Sequence, residues 1–243
     1  MLDPGGHAGR PRGGTARSLP TLADHLAGTF PCYDDAPLAL ALIDELAKGE
    51  PVTVVQLARA VDRDEADIAE TLERWPNVHR DGPARVVAFA GLSLAPTRHR
   101  FEVRGRQSYT WCAWDTLCLP ALLGREARVE SSCPVSGIGV RLTSRPDGVR
   151  AAEPASLQVS FPAPASTLMA DITASFCCHV HFLAGADSAE EWLAENQGGL
   201  TLGLEDAAEL GRLVVRPLLE RGRPQHEMDA VGNGATDVAR REP

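Results

Sequence analysis

The chain has 243 residues, 44% of them hydrophobic, so it can bury a sizeable core as one large domain or two small ones, and a disordered tail or a fibre is excluded. Its 24 Lys and Arg against 33 Asp and Glu leave a net charge of -9, which excludes a global field that would draw in nucleic acid or an anionic membrane surface. A neutral or cationic small ligand suits this balance better.

No run reaches the roughly 20 apolar residues of a membrane span, and the first twenty residues lack the apolar segment of a secretory signal. The chain is therefore expected in the cytoplasm, with no membrane or nucleic-acid partner. There its six cysteines (Cys32, Cys112, Cys118, Cys133, Cys177 and Cys178) are kept reduced, which favours metal binding or thiol chemistry over a disulfide framework.

Residues 1–20 are rich in Gly, Pro and Arg and are expected to form a flexible extension; residues 221–243 read as a flexible tail. In between, the pattern predicts a first domain over 21–90 and a second over 91–220. The first opens with an apolar-periodic helix, Ala36 to Lys48, stopped by Gly49. Helices over Thr53 to Val61 and Asp64 to Arg74 follow, Trp75-Pro76 ends the second, and Ala84 to Ala90 is extended. This is the outline of a winged-helix-like three-helix domain. Its would-be recognition helix, DEADIAETLER, carries five acidic residues and one Arg, the wrong sign for phosphate contact, so the domain is expected to act as a packing module.

From about residue 85 the pattern turns to short β-rich runs: Val86 to Leu94, His99 to Val103, Ala127 to Ser131, Gly139 to Thr143 and Leu157 to Phe161. Helices are predicted over Thr110 to Leu123, over Ser188 to Asn196 with a capping box of Ser188 and Glu191, and over Leu204 to Leu219. The expected class is α+β with mostly antiparallel sheets.

Within SYTWCAWDTLCLPALLG, helical i, i+3 spacing sets Cys112 beside Asp115, where thiol and carboxyl can exchange a proton. With Thr110 as N-cap, Cys112 falls in the first turn, where the helix dipole favours a thiolate; the Asp115 charge works the other way unless the two groups share one proton. Pro120 should kink or restart the helix, and Gly124 should end it. A cysteine in an apolar helix is ordinarily a small core residue, whereas an aspartate flanked by Trp114 and Leu117 either reaches solvent or is buried for a purpose.

A second segment, SFCCHVHF, crowds Cys177, Cys178, His179 and His181 into five positions, which suggests a soft-metal site or a core strand with inert thiols. As a strand it puts Cys177 on one face with His179 and His181 and turns Cys178 to the other. The turn SSCPVSG around Cys133 has no C-x-x-C partner anywhere, so a structural zinc site does not fit.

These segments together resemble the organomercurial lyase (alkylmercury lyase) family. The likeness runs in order through LIDELAKGEPV, YTWCAWDTLCLPALLGREARVESSC, the EPA at Glu153 to Ala155, and SFCCHVHFLAG with AEEWLAENQG; residues 1 to about 35 and the tail fall outside it. The resemblance implies a winged-helix-like N-terminal domain, an α+β catalytic domain of the family's own type, and an active site of two cysteines and an aspartate. Carried over by motif, these are Cys112, Cys177 and Asp115, which would also hold the Hg(II) product. Cys178 is a secondary candidate, Cys133 supports the fold, and His179 and His181 are structural. It implies no cofactor, free cellular thiols as cosubstrate for product removal, an organomercurial substrate, and mercuric reductase as a partner in mercury detoxification.

The residue types suit that chemistry. Mercury is a soft cation and thiolates are the soft ligands a protein offers, while the carbon on mercury leaves only if a proton reaches it as the bond breaks. Two rivals share the residues: a soft-metal sequestration protein for mercury or copper that cleaves nothing, and a metal-responsive winged-helix regulator, which needs a basic surface that the acidic helix lacks.

Overall fold

The computed structural model describes residues 18–27, 33–82, 85–163 and 171–222. Residues 1–17 of the expected extension, residues 223–243 of the expected tail, Cys32 and Ala84 lie outside the described residues.

The chain opens with helices α1 (Leu19–Ala27) and α2 (Ala36–Leu46). Asp35 starts α2 by accepting the Leu38 N–H at 3.1 Å, with Pro37 in the first turn. A two-residue strand β1 (Val52–Thr53) leads into α3 (Val54–Val61), and α4 (Glu65–Arg74) follows. Thr53 and Gln56 form a reciprocal capping box at the start of α3: Thr53 Oγ1 accepts the Gln56 N–H at 3.2 Å and Gln56 Oε1 accepts the Thr53 N–H at 2.8 Å. Thr53→Ala leaves the Gln56 N–H without its side-chain partner. It should cost about 1 kcal/mol, read as a lower urea midpoint at unchanged slope. Asp64 caps α4, and Glu65 and Asp67 in its first turn complement the helix dipole.

Strands β2 (His79–Arg80), β3 (Arg85–Phe89), β4 (Leu92–Ser93), β5 (His99–Val103) and β6 (Arg106–Thr110) precede helix α5 (Asp115–Leu123). Beyond it come β7 (Ala127–Ser132), β8 (Gly139–Arg145), β9 (Gly148–Glu153), β10 (Gln158–Phe161), α6 (Ile172–Ser175), a 3-10 turn (Cys177–His179), β11 (Phe182–Leu183), α7 (Ala186–Glu195), β12 (Leu200–Gly203) and α8 (Leu204–Gly222).

Among the described residues nine strands form one antiparallel sheet in the order β1-β3-β4-β6-β5-β7-β8-β9, with β2 also on β3. A smaller antiparallel sheet runs β11-β10-β12. This is the α+β class with antiparallel sheets that the sequence pattern implies. Helix α5 is the centre of the core, with every residue from Thr116 to Leu123 buried, and it packs against α8, α2 and β8. Leu-sized side chains so enclosed each contribute roughly 2 kcal/mol of burial, which explains why this helix keeps Pro120 in its interior. No helix among the described residues is long and apolar enough to cross a membrane.

Two elements differ from those the sequence pattern predicts. The run Val86 to Leu94 is not one strand: it folds back at Ala90-Gly91 into the β3–β4 hairpin, with φ of 48° and 90° at the two turn residues. Positive φ at both centres is what a type I′ turn requires. Ser188 does not cap its helix, because α7 begins at Ala186, and Ser188 is buried with its hydroxyl hydrogen-bonded to Cys133.

Candidate active site

The loop between β6 and α5 carries the first cysteine. Thr110 belongs to β6, pairing with Leu92 of β4 and His99 of β5, so the expected helix start at Thr110 loses to sheet pairing on two sides. Its hydroxyl donates to the Cys112 carbonyl at 2.8 Å and holds the loop against the strand end. The helix starts instead at Asp115, which reaches back to accept the Cys112 N–H on Oδ2 at 2.9 Å. The i, i+3 closeness of Cys112 and Asp115 survives the shift because residues 112–115 form a turn of their own. With the helix starting at Asp115, Cys112 is no longer in its first turn, where the dipole would favour a thiolate.

The second cysteine comes from the far side of the chain. Asp171 caps the single turn of α6, and the chain then tightens into the 3-10 turn instead of running on as a strand. Hydrogen bonds from His179 N–H to Phe176 O and from Val180 N–H to Cys177 O close that turn. Three residues per turn put Cys177 and Val180 inside and leave Cys178 and His179 exposed, which overturns the strand reading that set Cys177 beside His179 and His181. The Ala113 N–H donates to the Val180 carbonyl at 3.2 Å, tying the Cys112 loop to the Cys177 turn.

The Cys112 and Cys177 sulfurs and an Asp115 carboxylate oxygen thereby lie within 4.8 Å of one another. Cys112 is 0% exposed and Cys177 4%. Cys178 is outside this group: its exposed thiol donates to the Ala174 carbonyl at 2.9 Å. Cys133 is outside it as well, buried with Leu183, Ala189 and Trp192. Burial raises the Cys133 thiol, but hydrogen bonds from Ser136, Ser188 and Ala184 outweigh this and bring it to about 7.

Burial dominates the electrostatics of the group. It pushes the Cys112 thiol well above its ordinary value, helped by hydrogen bonds to Cys177 and Asp115 and by the Asp115 charge. Cys177 accepts a hydrogen bond from Cys112 that lowers it, yet burial and the charges of Asp115 and Asp171 leave it raised. Burial also lifts the Asp115 carboxyl to about 6 against two lowering hydrogen bonds from Cys112. At neutral pH the resting site therefore holds two protonated thiols and one ionised carboxylate, with the single Cys112 thiol proton within reach of both Cys177 and Asp115.

Asp115 and Cys177 face a cavity of about 210 Å³, with Cys112 behind them. Its walls are mostly apolar, with Leu122, Ile172, Phe176, Val214, Val215 and Leu218 among them. Trp114 also lines it, held by its indole N–H to the Ala207 carbonyl (2.8 Å) and by edge contacts to Phe161 and Phe176. A dry cavity of about 150 Å³ is enough for benzene, so the space admits a phenyl group.

The cavity also exposes residues that sequence reasoning missed. Tyr33, set against Trp75 and Phe89 at ring distances of 5.0 and 4.7 Å, lines it near Asp115; burial and the Asp115 charge keep its phenol protonated. Asn77 lines it with a buried amide nitrogen that has no hydrogen-bond partner among the described residues. Cys118 borders it beside Asp115 and Cys177. Gly91 forms another part of the wall. No local motif marks Tyr33 or Asn77; for Gly91 the Ala-Gly pair inside a β-rich run was the available signal.

Comparison with known proteins gives one consistent result. The family model described as alkylmercury lyase matches residues 92–216. An alkylmercury lyase of Streptomyces lividans is 44% identical over 75% of this chain and 84% of its own length. Its counterparts in Bacillus cereus and Pseudomonas putida are 42% and 40% identical over 71% and 76% of this chain, covering 78% and 86% of their own lengths. The crystal structure of the mercury-bound form of MerB2 shares the fold, with a TM-score of 0.65 at 23% identity over 82% of this chain and 98% of that one.

Proposed function

The chain belongs to the alkylmercury lyase family, and from that premise we propose that it cleaves the carbon–mercury bond of organomercury compounds by protonolysis, using Cys112, Cys177 and Asp115. The observation that carries the reading is the convergence of two sulfurs and a carboxylate oxygen within 4.8 Å at the floor of an apolar cavity. Soft sulfurs bind mercury, the carboxyl moves a proton, and the apolar walls receive the organic group.

The substrate R–Hg–X meets Cys177 first, since Cys177 faces the cavity and Cys112 lies behind it. The Cys177 sulfur bonds to mercury and displaces X, whose departure carries off the Cys177 proton. Cys112 then adds to mercury. Coordination by a soft cation makes its thiol acidic, so its proton passes to Asp115, already hydrogen-bonded to it. Two sulfurs now push electron density onto mercury, and Asp115 delivers the proton to carbon as the carbon–mercury bond breaks. One thiol proton ends on the hydrocarbon and the other on X, leaving Hg(II) held by Cys112 and Cys177. Free cellular thiols then remove the ion, with mercuric reductase the expected recipient.

The test is release of benzene from phenylmercuric acetate in the presence of excess thiol, followed by gas chromatography. Stoichiometric mercury uptake without benzene would favour sequestration instead. The same assay separates the adjacent cysteines: Cys178→Ser should keep turnover within about threefold of the parent, because its thiol points to Ala174 and solvent. A large loss in that variant would move the second thiol from Cys177 to Cys178.

A further inference from the structure

Gly91 stands against the Asp115 carboxyl. A Cβ built on Gly91 would lie 2.6 Å from both Cγ and Oδ1 of Asp115 and 3.0 Å from its Cβ, closer than non-bonded atoms tolerate. The Cys112 N–H holds Oδ2, while Cγ and Oδ1 occupy the space that a side chain at position 91 would fill. Gly91 is itself fixed. It is the second residue of the β3–β4 turn, and its carbonyl accepts the Trp111 N–H at 2.9 Å, binding the turn to the loop that carries Cys112. Leu92 beside it pairs with Thr110.

We infer that Gly91 is a positioning residue for the proton carrier: the absence of a side chain there lets the Asp115 carboxyl sit between Cys112 and the cavity. The inference rests on the protonolysis reading for its effect on turnover, but not for the contact itself. With an alanine methyl at this position, the end of a short, movable side chain has to give way by about 1 Å to restore ordinary contact. Displacement of that size at a proton-transfer group costs on the order of 100-fold in rate.

The hairpin β5–β6 supplies a matched control. Gly105 has a φ of 73° next to Arg104 at 52°, so an alanine there meets similar backbone strain, yet nothing lies within 4 Å of its Cβ position. Gly91→Ala and Gly105→Ala should lose similar amounts of stability from that strain. Only Gly91→Ala should slow benzene release from phenylmercury by about 100-fold while still binding Hg(II). Its acid limb of turnover should also move to higher pH than the parent's, because the displaced carboxyl loses the Cys112 N–H that favours its ionised form. A structural defect alone would leave that limb in place. Turnover and limb equal to those of Gly105→Ala would overturn the inference.

If Gly91→Ala does not fold, pairing it with Asp115→Ala removes the obstructing carboxyl and should restore a soluble chain; failure to do so overturns the inference too. If the parent releases no benzene, the protonolysis reading has failed separately. Thermal midpoints then decide the contact. Gly91→Ala should lower the midpoint less in the Asp115→Ala background than in the parent, and equal losses in both would overturn it.

Discussion

Cys177→Ser should abolish hydrocarbon release from methyl- and phenylmercury, a loss of at least about 10³-fold, in a chain that keeps its fold. The substitution exchanges one atom in a site 4% exposed, so packing changes little. The chemistry changes completely, because a serine hydroxyl is a hard donor that stays protonated near neutrality and does not compete for mercury. Cys112→Ser should behave alike, since pushing density onto mercury takes two sulfurs at once. For the same reason the double variant should be hardly worse than either single one, as expected of residues acting as a unit. Product gas chromatography measures the rates, and circular dichroism with a thermal midpoint checks the fold. Substantial turnover in either single variant would refute the two-thiol mechanism.

The parts of the site that were legible in the sequence are those set by local geometry. Cys112 and Asp115 meet because they stand three positions apart, and this holds in the turn Cys112–Asp115 as it would in a helix. The helix boundary was misread because Thr110 answers to Leu92 and His99, partners that residue-by-residue propensity does not see. The CCHVH run misled for a related reason. Strand alternation assumes a regular partner, whereas here a cap at Asp171 and a contact from Ala113 to Val180 fold the segment into a 3-10 turn. That turn separates Cys177 from Cys178 by burial, a distinction alternation also drew, but it removes the histidines that alternation placed beside Cys177. Tyr33, Asn77 and Gly91 reach the cavity from the first ninety or so residues through tertiary folding alone. The antiparallel α+β class was readable because alternation and turn residues recur along the second half of the chain, as in β7 and β8.

Asp115→Asn should leave mercury binding by the two sulfurs intact and slow protonolysis by about 10²- to 10⁴-fold, the span general acid–base groups usually supply. The pH dependence follows from the burial of the carboxyl, which raises it to about 6. Asp115 must be ionised to receive the Cys112 proton, so parent turnover should fall as pH drops below about 6, and this limb should vanish in the variant. Stability should show the opposite face of the same burial. An acid whose folded-state value is raised binds its proton more tightly when folded, so the ionised form carries a penalty. That penalty is absent below the ordinary value of 3.8, where folded and unfolded chains are both protonated, and complete above about 6. At about 1.4 kcal/mol per pH unit it reaches about 3 kcal/mol. Asp115→Asn, neutral at every pH, should therefore unfold at a higher temperature than the parent at pH 7.5, with the gap closing as the pH falls from about 6 to about 4. A gap that stays constant with pH would mean that the carboxyl is not held in the state its burial imposes. On the proposed mechanism, the stability given up near neutrality keeps an ionised base against a protonated thiol, the pairing from which proton delivery to carbon would begin.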